Sequence, residues 1–199
     1  MEAAGSIYLA SQSPRRRELL QQIGVPHEVV SASVLEQPLQ NESADTYVQR
    51  LALEKAQAGF AFIVQKAMSP KPVLGADTIV VSDGVILEKP RDQIQFRQML
   101  QSLAAKTHQV MTAVALVDAA NAKVLLSTTS VSFRSIDMAE IDAYWDTGEP
   151  CDKAGGYGIQ GLGSVFVQRI EGSYSGVVGL PIEQTVTLLK EFGVSWWQV

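Results

Sequence analysis

The sequence predicts a single α/β domain, and three observations carry that expectation. Short apolar runs, such as Ile7 to Ala10 and the β-branched Val73 to Val81, alternate with segments of helical period. A chain of 199 residues can build one substantial core, burying roughly 70% of the surface its unfolded form exposes, with room for two lobes. No internal repeat, low-complexity tract or long linker divides it.

Ile7 to Ala10 reads as a strand entering the turn Ser11-Gln12-Ser13-Pro14-Arg15-Arg16-Arg17. Ser13 is placed to cap the next helix, and Pro14 falls at its first position, where a missing N–H and a fixed φ cost nothing. Leu19, Leu20 and Ile23 supply that helix with an apolar stripe, and Gly24 stops it before the extended run His27 to Ser31. Ser33 to Glu42 is polar and reads as a loop. A second helix is expected from near Ser43 or Asp45, with Tyr47, Val48, Leu51, Lys55, Ala58 and Phe62 at helical spacing and an alanine-rich body suited to close packing.

Pro70-Lys71-Pro72 breaks that pattern before Val73 to Val81, a buried-strand candidate that contains Asp77. Ser82-Asp83-Gly84 is a hairpin turn into Val85 to Leu87, followed by Glu88-Lys89-Pro90 and a third helix over about Asp92 to Ala105. Gln109 to Val117 and Lys123 to Phe133 flank Asp118 to Ala122 and read as an antiparallel pair at the sheet centre. A short helix follows over Asp137 to Trp145. Gly148 to Gly163 is glycine-rich and is expected to lack regular structure without a ligand. Val165 to Ile170 forms a strand, Leu180 to Phe192 an amphipathic helix after Gly179, and Trp196 and Trp197 anchor the tail or a subunit contact.

With 16 basic and 21 acidic side chains the net charge is −5, so the bulk composition attracts neither nucleic acid nor an anionic membrane. A local basic cluster on such a chain points to a small anionic ligand instead. The lone Cys151 excludes an intrachain disulfide and a cysteine-built zinc site, and without a histidine partner it does not read as a nucleophile. The acidic start at Glu2 lacks the character of a secretory signal, and no apolar run approaches the roughly 20 residues that span a bilayer. A soluble, cytoplasmic protein is expected.

Arg15 and Arg16 stand where a strand meets a helix, and a planar guanidinium can donate two parallel hydrogen bonds to phosphate oxygens. A solvated basic turn would look the same, and Arg17 can simply face water. Asp77 is the only ionisable side chain in its strand, and a buried carboxylate is costly unless paired, hydrogen-bonded or bound to metal. It can hold a divalent ion or accept a proton from water, or else cap a neighbouring loop. Thr78 adds a hydroxyl beside it, favouring an outward-facing site.

Lys55 and Lys89 each follow a glutamate, Glu54 and Glu88, as surface ion-pair residues do. Lys89, held ahead of Pro90, could neutralise phosphate charge at reduced ordering cost. In the loop from Asp152 to Gly163 five glycines permit close approach to a ligand, Lys153 adds charge, and Gln160 can donate to and accept from a base edge. Tyr157 stacks there or closes the core. Glu36 can join Asp77 around a metal, whereas His27 and His108 lack metal-ligand spacing and read as packing or hydrogen-bonding residues. Neither a dinucleotide fingerprint nor a Walker lysine is present.

The segments SQSPRRRELL, RLALEKA, GADTIV, EKP, HQVMTAV, DKAGGYGIQG and GSYSGVVGLP, in that order, make the chain resemble the Maf family of nucleoside triphosphate pyrophosphatases from Leu9 through Pro181. The resemblance implies an elongated α/β fold with a mixed central sheet, flanking helices and a cleft between two lobes. It also implies cleavage between the α and β phosphates, giving nucleoside monophosphate and pyrophosphate with Mg2+ or Mn2+, in a homodimer. Carried onto this chain, Asp77 becomes the proton acceptor, Glu36 and Asp77 the metal ligands, and Ser13, Arg15, Arg16, Lys55, Lys89 and Lys153 the phosphate-binding set. The IQG form of the glycine loop resembles that of enzymes acting on dTTP and UTP, with Gln160, Arg15 and Thr78 setting base specificity. Alternatives are a pyrophosphatase for another modified nucleotide, such as 7-methyl-GTP, and a nucleotide-binding regulator of cell division.

Overall fold

A computed structural model describes residues 5–198, so the acidic start at Glu2 lies outside the described residues. The chain is α/β, with a seven-stranded mixed sheet ordered β2-β1-β3-β5-β6-β7 and β4 paired to β3. It divides into two compact units, Met1–Asp77 with Thr112–Ser127 and Gly179–Val199, and Thr78–Met111 with Thr128–Val178.

In the first unit β1 (Ile7–Leu9) lies parallel to β2 (His27–Val29) and to the start of β3 (Val73–Ser82). Parallel neighbours need crossovers, and α1 (Pro14–Gln22) and α2 (Ala44–Gln65) provide them. Gly24, at φ 65°, ends α1 with its N–H donated to the Gln21 carbonyl while Val25 N–H reaches Leu20, the paired bonds of a left-handed helix stop. The backbone N–H groups of Trp197 and Gln198 bond to the carbonyls of Ile23 and Gly24, so main-chain bonds hold the tail there while the Trp197 ring itself is exposed. α6 (Ile182–Glu191) buries Thr185, Leu188 and Leu189.

The packed face of α2 departs from the expected stripe. Beyond Leu51 it buries Ala52, Ala56, Gly59 and Ile63, while Ala58 and Phe62 are only half-buried. Small side chains win because β3 runs against the helix backbone at Gly75, where even a methyl group would stand 2.5 Å from the Ala56 nitrogen.

In the second unit the far half of β3 turns through Asp83 and Gly84, both at positive φ, into antiparallel β4 (Val85–Leu87). α3 (Gln93–Leu103) is capped by Asp92, whose carboxylate accepts the Gln95 N–H at 2.7 Å. β5 (Thr107–Val117) and β6 (Ala122–Phe133) form the expected hairpin, although the middle of the strand order is β3 and β5. The reason is that β3, apolar apart from Asp77, Thr78 and Ser82, is the more deeply buried strand, whereas β6 alternates. α4 (Met138–Asp146) begins with a capping box between Asp137 and Glu140.

Two further expectations need correction in this unit, the start of the last strand and the irregularity of the glycine loop. Val165 and Phe166 belong to a 3-10 turn, and β7 (Val167–Glu171) starts only after them, antiparallel to β6. Gly148 to Gly163 is not irregular: three 3-10 segments order it, with Tyr157 and Ile159 buried. A short helix, α5 (Tyr174–Val178), had no sequence signal.

Candidate active site

The first cluster is built on α1, α2, β3 and the loop before α2. Lys55 Nζ lies 2.6 Å from Asp77 Oδ1 and 2.5 Å from Glu36 Oε1, so one ammonium joins two carboxylates from separate parts of the chain. Asp77 is buried, and Lys55 is the charge that compensates it. The close approach of β3 to Ala52 and Ala56 brings Lys55, between them on the helix, within reach. Glu54 pairs with Arg50 rather than with its neighbour Lys55.

Arg16 donates from Nε to the Gly179 carbonyl at 2.8 Å and from Nη1 to Ser11 Oγ at 3.0 Å, which aims its guanidinium inward. Burial pulls this guanidinium below its ordinary value, Asp77 opposes that, Arg15 adds to it and Glu36 opposes it. Asp77, Arg15 and Glu36 therefore all act on the Arg16 guanidinium. Ser13 occupies the N-cap position of α1 but its hydroxyl does not cap; its N–H instead donates to Ser11 Oγ at 3.2 Å. Ser11, an acceptor for both Ser13 and Arg16, organises this turn in the way Ser13 was expected to.

The loop carrying Glu36 is fastened by Arg50. Its guanidinium donates to Glu42 at 2.7 Å through both Nε and Nη2, to Glu54, and to the Gln37 carbonyl at 3.0 Å. The Arg50 hydrogen bond holds the Glu42 carboxyl down to about 2 despite the opposing effect of desolvation.

Thr78 follows Asp77 on β3, and strand pleating sends adjacent side chains to opposite faces, so its hydroxyl does not share the Asp77 face. In the second unit Lys89 is exposed beyond β4, and Glu88 contributes its carbonyl to the Gly155 N–H at 3.1 Å. Lys153 Nζ donates to the Glu149 carbonyl at 2.8 Å and pairs with Asp152 Oδ1 at 2.7 Å, which fixes the cation to its own loop. Gln160 is exposed at the turn between Ile159 and Gly161. Tyr157 closes the core: its hydroxyl lies 2.8 Å from His108 Nε2, with both rings edge-on to Phe133. His27 Nδ1 bonds to the Val25 carbonyl at 2.9 Å, and Cys151 is an exposed free thiol, so both histidines pack and bond as expected.

Sequence reasoning missed the contacts that hold these loops: Ser11 to Arg16, Arg50 to the Gln37 carbonyl, and the Tyr144 hydroxyl donated to Glu149 at 2.7 Å. Each rests on a polar residue without a diagnostic spacing, which only its partners in space reveal.

The sequence of the Maf-like protein family matches residues 6–192 of this chain. A dTTP/UTP pyrophosphatase of Saccharophagus degradans is 55% identical over 195 residues, covering 98% of this chain and 92% of that protein. Proteins of the same name from Shigella dysenteriae and Escherichia coli are each 54% identical over 187 residues, covering 94% of this chain and 93% of the relative. With a mixed sheet, an Asp77–Lys55–Glu36 cluster and this near full-length likeness together, the chain belongs to the Maf-like protein family.

Proposed function

We propose that this chain is a nucleoside triphosphate pyrophosphatase that hydrolyses dTTP and UTP to the monophosphate and pyrophosphate. The names of its relatives support the pyrimidine substrates. The observation that carries the chemistry is Lys55 held between Asp77 and Glu36, with the half-buried Arg16 guanidinium within electrostatic reach of both carboxylates.

An ammonium has three donors, and Lys55 spends two on carboxylates, leaving one for a phosphate oxygen. Arg15 and Arg16 add guanidinium donors, and Ser13, Lys89 and Lys153 complete the proposed phosphate-binding set. Water adds across the α–β anhydride, Asp77 accepts its proton, and the pyrophosphate leaves with the electron pair of the broken P–O bond. The cations stabilise charge that grows on the departing phosphates.

Glu36 and Asp77 are hard oxygen donors converging on one positive charge, which suits Mg2+ or Mn2+. Among the described residues no group of three or more His, Cys, Asp or Glu side chains could hold a metal, so substrate oxygens and water would complete the shell. When bound, the ion would supply further neutralisation of phosphate charge. Gln160 reads the uracil or thymine edge through its amide, with Arg15 and Thr78 as additional specificity residues.

A cytoplasmic homodimer is part of the same proposal; no described helix is long and apolar enough to cross a membrane. The test is a product-resolved screen of dTTP, UTP, GTP and 7-methyl-GTP with and without Mg2+. Monophosphate and pyrophosphate in equal amounts from the pyrimidines is the expected result. Preferential cleavage of the methylated purine, or nucleotide binding without pyrophosphate release, overturns the assignment. Asp77→Asn should retain nucleotide binding and lose turnover by at least a hundredfold; a variant that turns over normally removes Asp77 from its role.

A further inference from the structure

Gln160 is an exposed side chain on a glycine-rich loop, and such a side chain reads a base only if its backbone is held still. The structure shows what holds it. Glu149 turns its carboxylate into the loop and accepts hydrogen bonds from the Tyr144 hydroxyl at 2.7 Å, Leu162 N–H at 2.8 Å and Gly163 N–H at 3.0 Å. The Tyr144 hydroxyl in turn accepts the Gly158 N–H at 3.1 Å. One carboxylate and one phenol thus pin the backbone at 158 on one side of Gln160 and at 162 and 163 on the other.

The glycines mark how tightly the loop wraps this pair. A Cβ on Gly158 would stand 2.9 Å from Glu149 Oε1, one on Gly161 2.7 Å from the same oxygen, and one on Gly163 2.5 Å from the Tyr144 hydroxyl. Three of the loop's glycines therefore leave room for the carboxylate and phenol. Burial pushes the Glu149 carboxyl up, but the bonds from Gly163, Tyr144 and Leu162 and the charge of Lys153 hold it below its ordinary value overall.

We infer that Glu149, acting with Tyr144, is a positioning residue that sets base selectivity by fixing the backbone on either side of Gln160. The inference rests on the pyrimidine reading above and deepens it. It separates two groups on one loop: Gln160 meets the base, and Glu149 holds the frame from which Gln160 reaches it. A carboxylate suits that task because it accepts several N–H and O–H bonds at once and offers no donor of its own.

The test compares kcat and KM for dTTP, UTP and GTP in the full chain and in Glu149→Ala, Gln160→Ala, the double variant and Glu149→Gln. Glu149→Ala should lower the dTTP-to-GTP ratio of kcat/KM at least tenfold, chiefly by raising KM for dTTP. The double variant should show a ratio no lower than Gln160→Ala alone, because both changes remove one function. Glu149→Gln, which keeps an acceptor oxygen but adds a donor facing an N–H, should fall between. Loss of folded protein scales all nucleotides alike and leaves the ratio untouched, so a merely structural role for Glu149 predicts no change.

If Gln160→Ala shifts the ratio and Glu149→Ala leaves it within twofold, the positioning role is refuted while base reading by Gln160 stands. If Gln160→Ala itself changes nothing, both fail. Should Glu149→Ala not accumulate, Tyr144→Phe decides: it removes only the hydroxyl between Glu149 and Gly158 and should shift the ratio in the same direction by a smaller factor, whereas an unchanged ratio refutes the role.

Discussion

Gly75→Ala is the sharpest probe of how this fold makes its site. The added methyl would stand 2.5 Å from the Ala56 nitrogen and 3.0 Å from the Ala56 Cα, and closer still to the Ala52 carbonyl oxygen. Carbon contacts relax near 3.5 Å, so α2 must retreat from β3 by about 1 Å. Every atom in the way belongs to helix backbone or its immediate Cα, so no side chain can swing aside. Overpacking of this kind costs typically 1–3 kcal/mol, and a rigid neighbour puts it near the top, at about 3 kcal/mol. For a chain of this size that corresponds to a drop in Tm of roughly 6–12 °C. Lys55 rides on α2 between the two alanines, so the same movement draws its ammonium from the 2.6 Å contact with Asp77. Pyrophosphate release, measured well below the lowered Tm, should fall about tenfold or more. Urea denaturation reads the stability term. Gly84→Ala is the control: its Cβ meets nothing within 4 Å, and only the positive φ of 76° is penalised, by about 1–2 kcal/mol. A Gly75→Ala protein within 0.5 kcal/mol of the parent and fully active would refute the close approach as the source of the Lys55–Asp77 contact.

Two other outcomes follow from the geometry. Burial pushes the His108 imidazole down to about 4, whereas the unfolded chain protonates near 6.5, so unfolding takes up a proton between those values. Stability present above about pH 6.5 is therefore lost as pH falls toward 4, by up to on the order of 3 kcal/mol. His108→Gln, which keeps a partner for Tyr157, should flatten that slope in urea midpoints taken across the window; an unchanged slope assigns the acid sensitivity elsewhere. Arg50→Ala removes the clasp on Gln37 and Glu42, so limited proteolysis should cut the loop between 33 and 42 faster and KM should rise, while equal cleavage rates would show that the loop is held by something else.

Local chemistry made much of the fold legible. The stop at Gly24, the Asp83-Gly84 turn, the caps at Asp92 and Asp137 and the β-branched strands each depend on residues within a few positions of one another, and the chain alone specifies them. Asp77 was legible for the same reason: a carboxylate in an apolar strand is anomalous wherever that strand lies. Periodicity misjudged α2 because it weighs side-chain hydrophobicity, and here the deciding quantity is how near a neighbouring backbone comes. It misjudged the glycine loop because glycine signals freedom when read along the chain, while in space those glycines make room for Glu149 and Tyr144.

By itself, then, the sequence determines the succession of strands and helices, the anion-seeking turn at Arg15 and Arg16, the anomalous Asp77 and the family likeness. Only the tertiary structure decides that Lys55 joins Asp77 to Glu36, that Ser11 rather than Ser13 organises the Arg16 turn, and that Glu149 clasps the loop bearing Gln160. Each of these contacts links residues whose approach is set by packing elsewhere. An ion pair or a hydrogen bond forms over about 3 Å in space, whatever the distance along the chain.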